Sequence, residues 1–344
     1  MPDTLSTEPT TPPDYVRMIE MARGHYVAMV VHAAAHFGIA DHLADGPKSA
    51  EELAGATRTH APSLYRVMRT LSSLGVFTED AQRRFRLTPL GETLKTGAPG
   101  AARSTIRTIA GDWFWKGMEQ FPYSVETGKS GFEKAIGMPV FEYLAKHPEK
   151  ASLFSETMVG VHGEEPATVA EAYDFSNVGV LMDVGGATGN MLAHILARHP
   201  KPRGILFDLP HVVKDAKSLI ASRGLSDRIE IRSGSFFDAV PSGADAYLLS
   251  HVIHDWSEEQ CVAILRNVHR AVPKNGRLLI VEMVLPPGNV FHPGKMLDMI
   301  MLVGPGGQER TEEEYAHLLE KSGFRLTRVV PTKSPVSVVE GVPA

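Results

Sequence analysis

The chain has 344 residues, 43% of them hydrophobic and 22% charged, a make-up typical of soluble proteins and long enough for two separate cores. A net charge of −5 argues against a dedicated nucleic-acid binder, which needs surplus positive charge to neutralise phosphates. A single cysteine, Cys261, excludes an intramolecular disulfide and a cysteine metal cluster, and suits a reducing cytoplasm.

Residues 1–14 are polar and proline-rich, with no basic start or apolar core, so a disordered tail is expected and not a signal peptide. The longest apolar stretch, YVAMVVHAAAHFGIADHL, is broken by His32, His36 and Asp41 and falls short of a membrane span; a buried helix is expected. SAEELAGAT carries Ser49 and Glu52 at capping-box spacing. In the next segment Leu64, Val67, Met68, Leu71 and Leu74 share one helical face, and Gly75 is the stop. VFTEDAQRRFRLTPLG reads as a β-hairpin. Helices followed by a hairpin make a winged-helix unit. Arg66, Arg69, Arg83, Arg84 and Arg86 are where such a unit contacts DNA, but the acidic balance favours a packing and dimerisation role.

From about Ala101 to Tyr173 the pattern is helical and rich in aromatics, expected mostly in the core, some of them lining an acceptor pocket. From Val178 strands and helices alternate: GVLMDVGG, NMLAHILARHP, RGILFDLP, HVVKDAKSLIASRG, then ADAYLLSHVI and GRLLIVEMVLP. That is an α/β, Rossmann-like doubly wound sheet, which FRLTRVVPTKSPVSVVEG completes with an antiparallel hairpin. The expected division is a mainly helical N-terminal domain over 15–165 and a cofactor-binding domain over 166–344.

The first strand of that sheet runs into Asp183-Val-Gly-Gly-Ala-Thr-Gly189, where Gly185, Gly186 and Gly189 let a ligand approach the backbone. Asp208 ends the second strand, placed to accept both hydroxyls of a ribose. The glycines do not fit the G-x-G-x-x-G of a dinucleotide site. A cationic amino group would also suit Asp183. Both features favour S-adenosyl-L-methionine over NAD.

DVGGATG, FDLP, SGSFFDAVP, HVIHDWSEEQ, VEMVLP and GPGGQERT together resemble the small-molecule O-methyltransferases of plant caffeate type and of bacterial antibiotic pathways, which place a winged-helix dimerisation domain ahead of the catalytic domain. The resemblance runs over nearly the whole chain from Tyr15. It implies a homodimeric, cytoplasmic enzyme that methylates an aromatic hydroxyl, with no metal, nucleic acid or membrane partner. It also implies His254 as general base flanked by Glu282 and Glu309. A histidine is a workable acceptor for a phenolic proton, and a carboxylate such as Glu309 on its far nitrogen would fix the tautomer and stabilise the imidazolium. Cofactor contacts are implied for Leu209 beside Asp208, for Ser235 and Phe236, and for Trp256 near the adenosine. Plant relatives carry an acid at the position of Ser235 and a lysine at that of Ser250, so the adenine contacts through Ser235 and Ser250 differ here. Ala187 stands where a glycine is frequent. Phe154 and Met158, with Asp298 and Met301, match acceptor-lining positions. His251 is expected to be structural, because three residues along a strand put it on the face opposite His254. The alternatives are a family member with hydroxylating or decarboxylating activity, and a ligand-responsive winged-helix regulator.

Overall fold

The computed structural model describes residues 12–344. The expected tail lies outside the described residues up to position 11, and a helix begins at Asp14. The chain forms two compact units: residues up to Trp115 together with His147–Val161, and Lys116–Lys146 together with His162–Ala344. A single boundary at 165 therefore does not describe it. Residues 116–146 join the second unit, where Ser130 Oγ donates to the carbonyls of Val303 and Gly304 at 3.1 and 2.5 Å.

In the first unit, strands β1 (Lys48–Ser49), β2 (Phe77–Glu79) and β3 (Arg84–Leu87) form an antiparallel sheet in the order β1-β3-β2. The Ser49/Glu52 capping box is formed, and helix Ala61–Ser73 buries Leu64, Met68 and Leu71. Leu74 falls just past that helix and is exposed, contrary to the helical pattern. Two of the wing arginines are engaged locally: Arg84 pairs with Glu52 at 2.9 Å, and the Arg83 guanidinium lies 4.3 Å from the Tyr65 ring centre. The long apolar stretch is not one buried helix: it breaks at Gly38, and Ile39, Ala40 and Leu43 beyond the break are buried. Helix Gly24–His36 buries only Ala34 and Ala35, and helix Asp14–Ala22 buries nothing. Tyr15, Met18, Met21 and Tyr26 are exposed.

The second unit is built on β4 (Val180–Val184), β5 (Arg203–Asp208), β6 (Ile229–Ser233), β7 (Ala246–Ser250) and β8 (Arg277–Glu282), all parallel, with the terminal strands β11 (Phe324–Pro331) and β12 (Ser337–Pro343) antiparallel. Their order is β11-β12-β8-β7-β4-β5-β6. A second, parallel pair joins β9 (Val284–Leu285) to β10 (Arg310–Thr311). Alternate residues feed opposite cores: Ala246 and Leu248 pack on one face of the sheet, Tyr247 and Leu249 on the other. Both faces being covered explains why these strands read as unbroken apolar runs. The chain order reverses between β4 and β7, so the carboxyl ends of these strands form the crevice where such sheets bind ligands.

Candidate active site

At the end of β4 the chain turns through Gly185 (φ 75°), Ala187 (φ 49°) and Gly189 (φ 79°) into helix Asn190–Arg198. Ala187 thus holds a left-handed conformation that its Cβ disfavours, consistent with a glycine being frequent there. A Cβ on Gly186 would stand 2.5 Å from the Asp183 carboxyl carbon, so the turn closes directly over that carboxylate. Asp183 is fully buried; the Leu192 backbone N–H approaches it, but neither oxygen has a partner of good hydrogen-bond geometry. Burial, reinforced by the charge of Asp208, raises its pKa to about 7. An unpaired buried carboxylate is what a cationic ligand group would complete, so the residues present fit the ammonium of S-adenosyl-L-methionine.

The same observation makes a stability prediction. An acid whose pKa is raised by folding destabilises the folded state once it ionises. The penalty is absent below about pH 4, grows as pH rises, and is complete above about pH 7. Asp183→Asn is therefore expected to unfold several degrees higher than the parent at pH 8, with a smaller gain at pH 5, and to bind S-adenosyl-L-methionine more weakly. Melting curves at both pH values and a binding titration check this.

Asp208, at the end of β5, accepts the N–H of Ala187 at 2.9 Å and of Leu209 at 2.6 Å. Each oxygen retains a lone pair for a further donor. Phe236 borders the glycine turn, 3.4 Å from where a Gly185 Cβ would lie, and Val252 touches the same spot. The Phe236 and Phe237 carbonyls both accept from Asn267 Nδ2. Trp256 meets Phe237 edge-on at 4.8 Å and Phe236 at 6.0 Å, so Phe236, Trp256 and the turn are contiguous. Ser235 Oγ accepts the Phe237 N–H at 3.2 Å, and Ser250 is half-buried at the end of β7.

The strand reading of SHVIHDW needs correction. β7 stops at Ser250, His251 takes φ 53°, and Ile253–Asp255 form a single 3-10 turn. Strand parity consequently does not separate the two histidines, whose rings lie 5.3 Å apart. His251 Nε2 pairs with Glu165 Oε2 at 2.8 Å, and its ring stacks on His162 at 4.0 Å and 13°. Burial, then the charges of His251 and His254, lower the His162 pKa to about 2. His162, Glu165 and His251 bring ligand-type atoms together, but a metal must lie in the plane of each imidazole that binds it. Two near-parallel stacked rings share no such point.

His254 is held on every side but one. Its Nδ1 bonds Glu309 Oε1 at 2.7 Å, its backbone N–H donates to Glu282 Oε1 at 3.0 Å, and its carbonyl accepts from the Gln308 N–H at 2.9 Å. The two glutamates thus converge on His254 by different routes, Glu309 on the ring and Glu282 on the backbone. Among the described residues Nε2 has no hydrogen-bond partner; Asp255 Oδ1 is 3.8 Å away. Burial pushes the His254 pKa down, but Asp255, the Glu309 hydrogen bond and the charge of Glu282 outweigh it and raise the value to about 10.

Asp298 and Met301 serve this arrangement. Asp298 Oδ1 accepts the Glu309 N–H at 2.8 Å, and the Met301 carbonyl accepts the N–H groups of Gly306 and Gly307 at 2.9 and 3.1 Å. Phe154 and Met158 are half-buried on helix Pro148–His162, within the first unit. Sequence reasoning missed Gly307, whose Cβ would stand 1.9 Å from the His254 carbonyl oxygen, and the buried Arg310, whose guanidinium donates to the Ile253 and Gln308 carbonyls. The paired glycines and the arginine of GPGGQERT were the available signal.

Residues 115–325 match the O-methyltransferase domain family, and residues 19–97 match the O-methyltransferase dimerisation domain. The chain is 43% identical to a phenazine O-methyltransferase of Lysobacter antibioticus over 95% of each chain. It superposes on a mitomycin 7-O-methyltransferase at a TM-score of 0.91 and 35% identity, covering 96% of this chain and 98% of the other. An O-methyltransferase of neocarzinostatin biosynthesis, solved with S-adenosylmethionine and 2-hydroxy-5-methyl naphthoic acid, superposes at 0.84 and 32% identity, covering 92% and 96%.

Proposed function

The chain belongs to the O-methyltransferase family and takes its methyl group from S-adenosyl-L-methionine, and from that premise we propose that it methylates a hydroxyl of an aromatic small molecule, with His254 Nε2 as the atom that receives the proton. The observation that carries this reading is the tethering of His254: ring Nδ1, backbone N–H and carbonyl are all hydrogen-bonded, and among the described residues Nε2 alone is not, with Asp255 Oδ1 3.8 Å away. A sulfonium donor is already activated, so the protein's task is to align the two substrates and remove one proton. The carboxylates that raise the pKa of His254 strengthen it as an acceptor for the proton of a phenol, which ionises near ~10, and a sulfonium beside it favours the neutral imidazole that can accept. Glu309 stabilises the imidazolium that results.

Donor contacts are assigned to Asp183, to the Gly185–Gly189 turn and to Asp208 with Leu209. Phe236, Trp256, Ser235 and Ser250 are assigned to the adenosine, and Asp298 and Met301 to the neighbourhood of the acceptor. The matched dimerisation domain and the exposed Tyr15, Met18, Met21 and Tyr26 support a homodimer formed through the N-terminal region. No helix of the described residues is long and apolar enough to cross a membrane.

The experiment is turnover of radiolabelled methyl donor with a panel of phenols, hydroxyquinones and hydroxynaphthoates; absence of methylated product across the panel counts against the reading. A second measurement addresses the base directly. A nearby sulfonium opposes a second positive charge, so S-adenosyl-L-methionine should lower the pKa of His254, whereas the neutral sulfide S-adenosyl-L-homocysteine should leave it nearer 10. Histidine ring NMR titrations with the two ligands check this, and equal values would place the sulfonium away from His254.

A further inference from the structure

The carboxylate that holds the backbone of His254 is itself held. Glu282 ends β8 with no solvent exposure. Its Oε1 accepts the His254 N–H, and its Oε2 accepts the hydroxyl of Tyr315, which is also fully buried. Tyr315 lies on helix Glu312–Lys321, whose start is fixed by a Thr311/Glu314 capping box directly after β10. β10 pairs with β9, two residues beyond Glu282, so the tyrosine and the glutamate are brought together by neighbouring strands.

We infer that Tyr315 is a positioning residue for the methyl-transfer base, acting through Glu282 to keep the His254 turn in register. The inference rests on the assignment of His254 as the base. A buried carboxylate with one oxygen bare is costly, and it escapes that cost by taking a proton or by rotating toward another donor. Rotation releases the His254 N–H, the one hydrogen bond Glu282 makes to the turn among the described residues, and protonation weakens that bond. The Tyr315 hydroxyl prevents both. Its own pKa is held well above the ordinary phenol range by burial first and by the charges of Glu282 and Glu309, so it remains a donor throughout the working range.

Tyr315→Phe removes only the hydroxyl. The expected result is a fall in kcat of about 10- to 100-fold, the scale of a small misplacement of the reacting groups, with KM for both substrates and donor affinity within about twofold of the parent. The acidic limb of the kcat–pH profile, set by His254, should move to lower pH, because a turn no longer held in register draws the ring away from the carboxylates that raise its pKa. A lower melting temperature with parental kcat and pH profile would overturn the inference, leaving the tyrosine a packing residue.

A double-mutant cycle keeps the test informative even where the single variant folds poorly. In Glu282→Gln the bare charge is gone, so adding Tyr315→Phe should lower kcat by less than about twofold if the hydroxyl acts only through Glu282; a full, additive loss refutes it. Parental turnover in His254→Ala would fail the base assignment itself. Parental turnover in Tyr315→Phe alongside an inactive His254→Ala would fail only the role of the tyrosine.

Discussion

His254→Ala is expected to lower kcat at neutral pH by about 10²- to 10⁴-fold while leaving donor affinity unchanged. The size follows from what is removed and what is kept. Asp183, the glycine turn and Asp208 lie on other strands and make no hydrogen bond to His254, so donor binding should survive. Alignment of the acceptor should also survive, and the sulfonium needs no activation, so the loss is confined to proton removal. That confinement has a signature. A phenol that ionises in solution no longer needs the base, so the deficit should shrink as pH approaches the phenol's own pKa, and should be smaller for more acidic phenols. His254→Gln is a useful companion, because its amide can still donate to Glu309, whose Oε2 already lacks a partner. Steady-state rates from pH 6 to 10 with two phenols of different acidity make the measurement. Parental turnover at pH 7 would remove His254 from the mechanism.

How much of this was legible beforehand depended on the length scale of the cause. Local causes read well: the Ser49/Glu52 capping box, the C-terminal hairpin, and Asp183 and Asp208 at the ends of adjacent strands are each set by a few neighbouring residues. The parity argument for His251 and His254 failed for a local reason that composition concealed. YLLSHVI is apolar enough to continue as a strand, yet His251 adopts φ 53°, held by a glutamate 86 residues earlier in the chain. The division into units failed because helical patterning between 101 and 173 carries no sign of which core each helix joins; Ser130 finds the Val303 and Gly304 carbonyls only in three dimensions. Motif resemblance brought Glu282 and Glu309 to His254. It also nominated Glu309 for the far ring nitrogen, where it lies; that Glu282 takes the backbone N–H instead depends on strand ends meeting at the crevice. Asp298, assigned to the acceptor by position, already spends one oxygen on the Glu309 N–H, a use no sequence pattern displays.

The second large effect is expected at a residue with no chemistry of its own. A Cβ on Gly307 would stand 1.9 Å from the His254 carbonyl oxygen, 2.7 Å from the Asp255 carbonyl carbon and 2.8 Å from that of His254. These are backbone atoms of the turn that carries His254, and they have no rotamer by which to yield. In Gly307→Ala either the turn or the Gly306–Gln308 segment must retreat by more than an ångström. Both movements stretch the Gln308 N–H···O=C His254 bond and draw Glu309 away from Nδ1. Misplacement on that scale costs about 10²-fold in rate. The expectation is therefore a kcat lower by about 10²–10³-fold, with a reduced melting temperature and donor affinity close to the parent. Gly306→Ala is the control. Its φ of 83° makes alanine strained, costing about 1–2 kcal/mol of stability, but its nearest neighbour would be Ser130 Cβ at 3.6 Å and not the base. Equal losses of kcat in the two variants would mean that the glycines matter only for folding. A loss confined to Gly307→Ala would mean that the close approach of the backbone to His254 sets the rate.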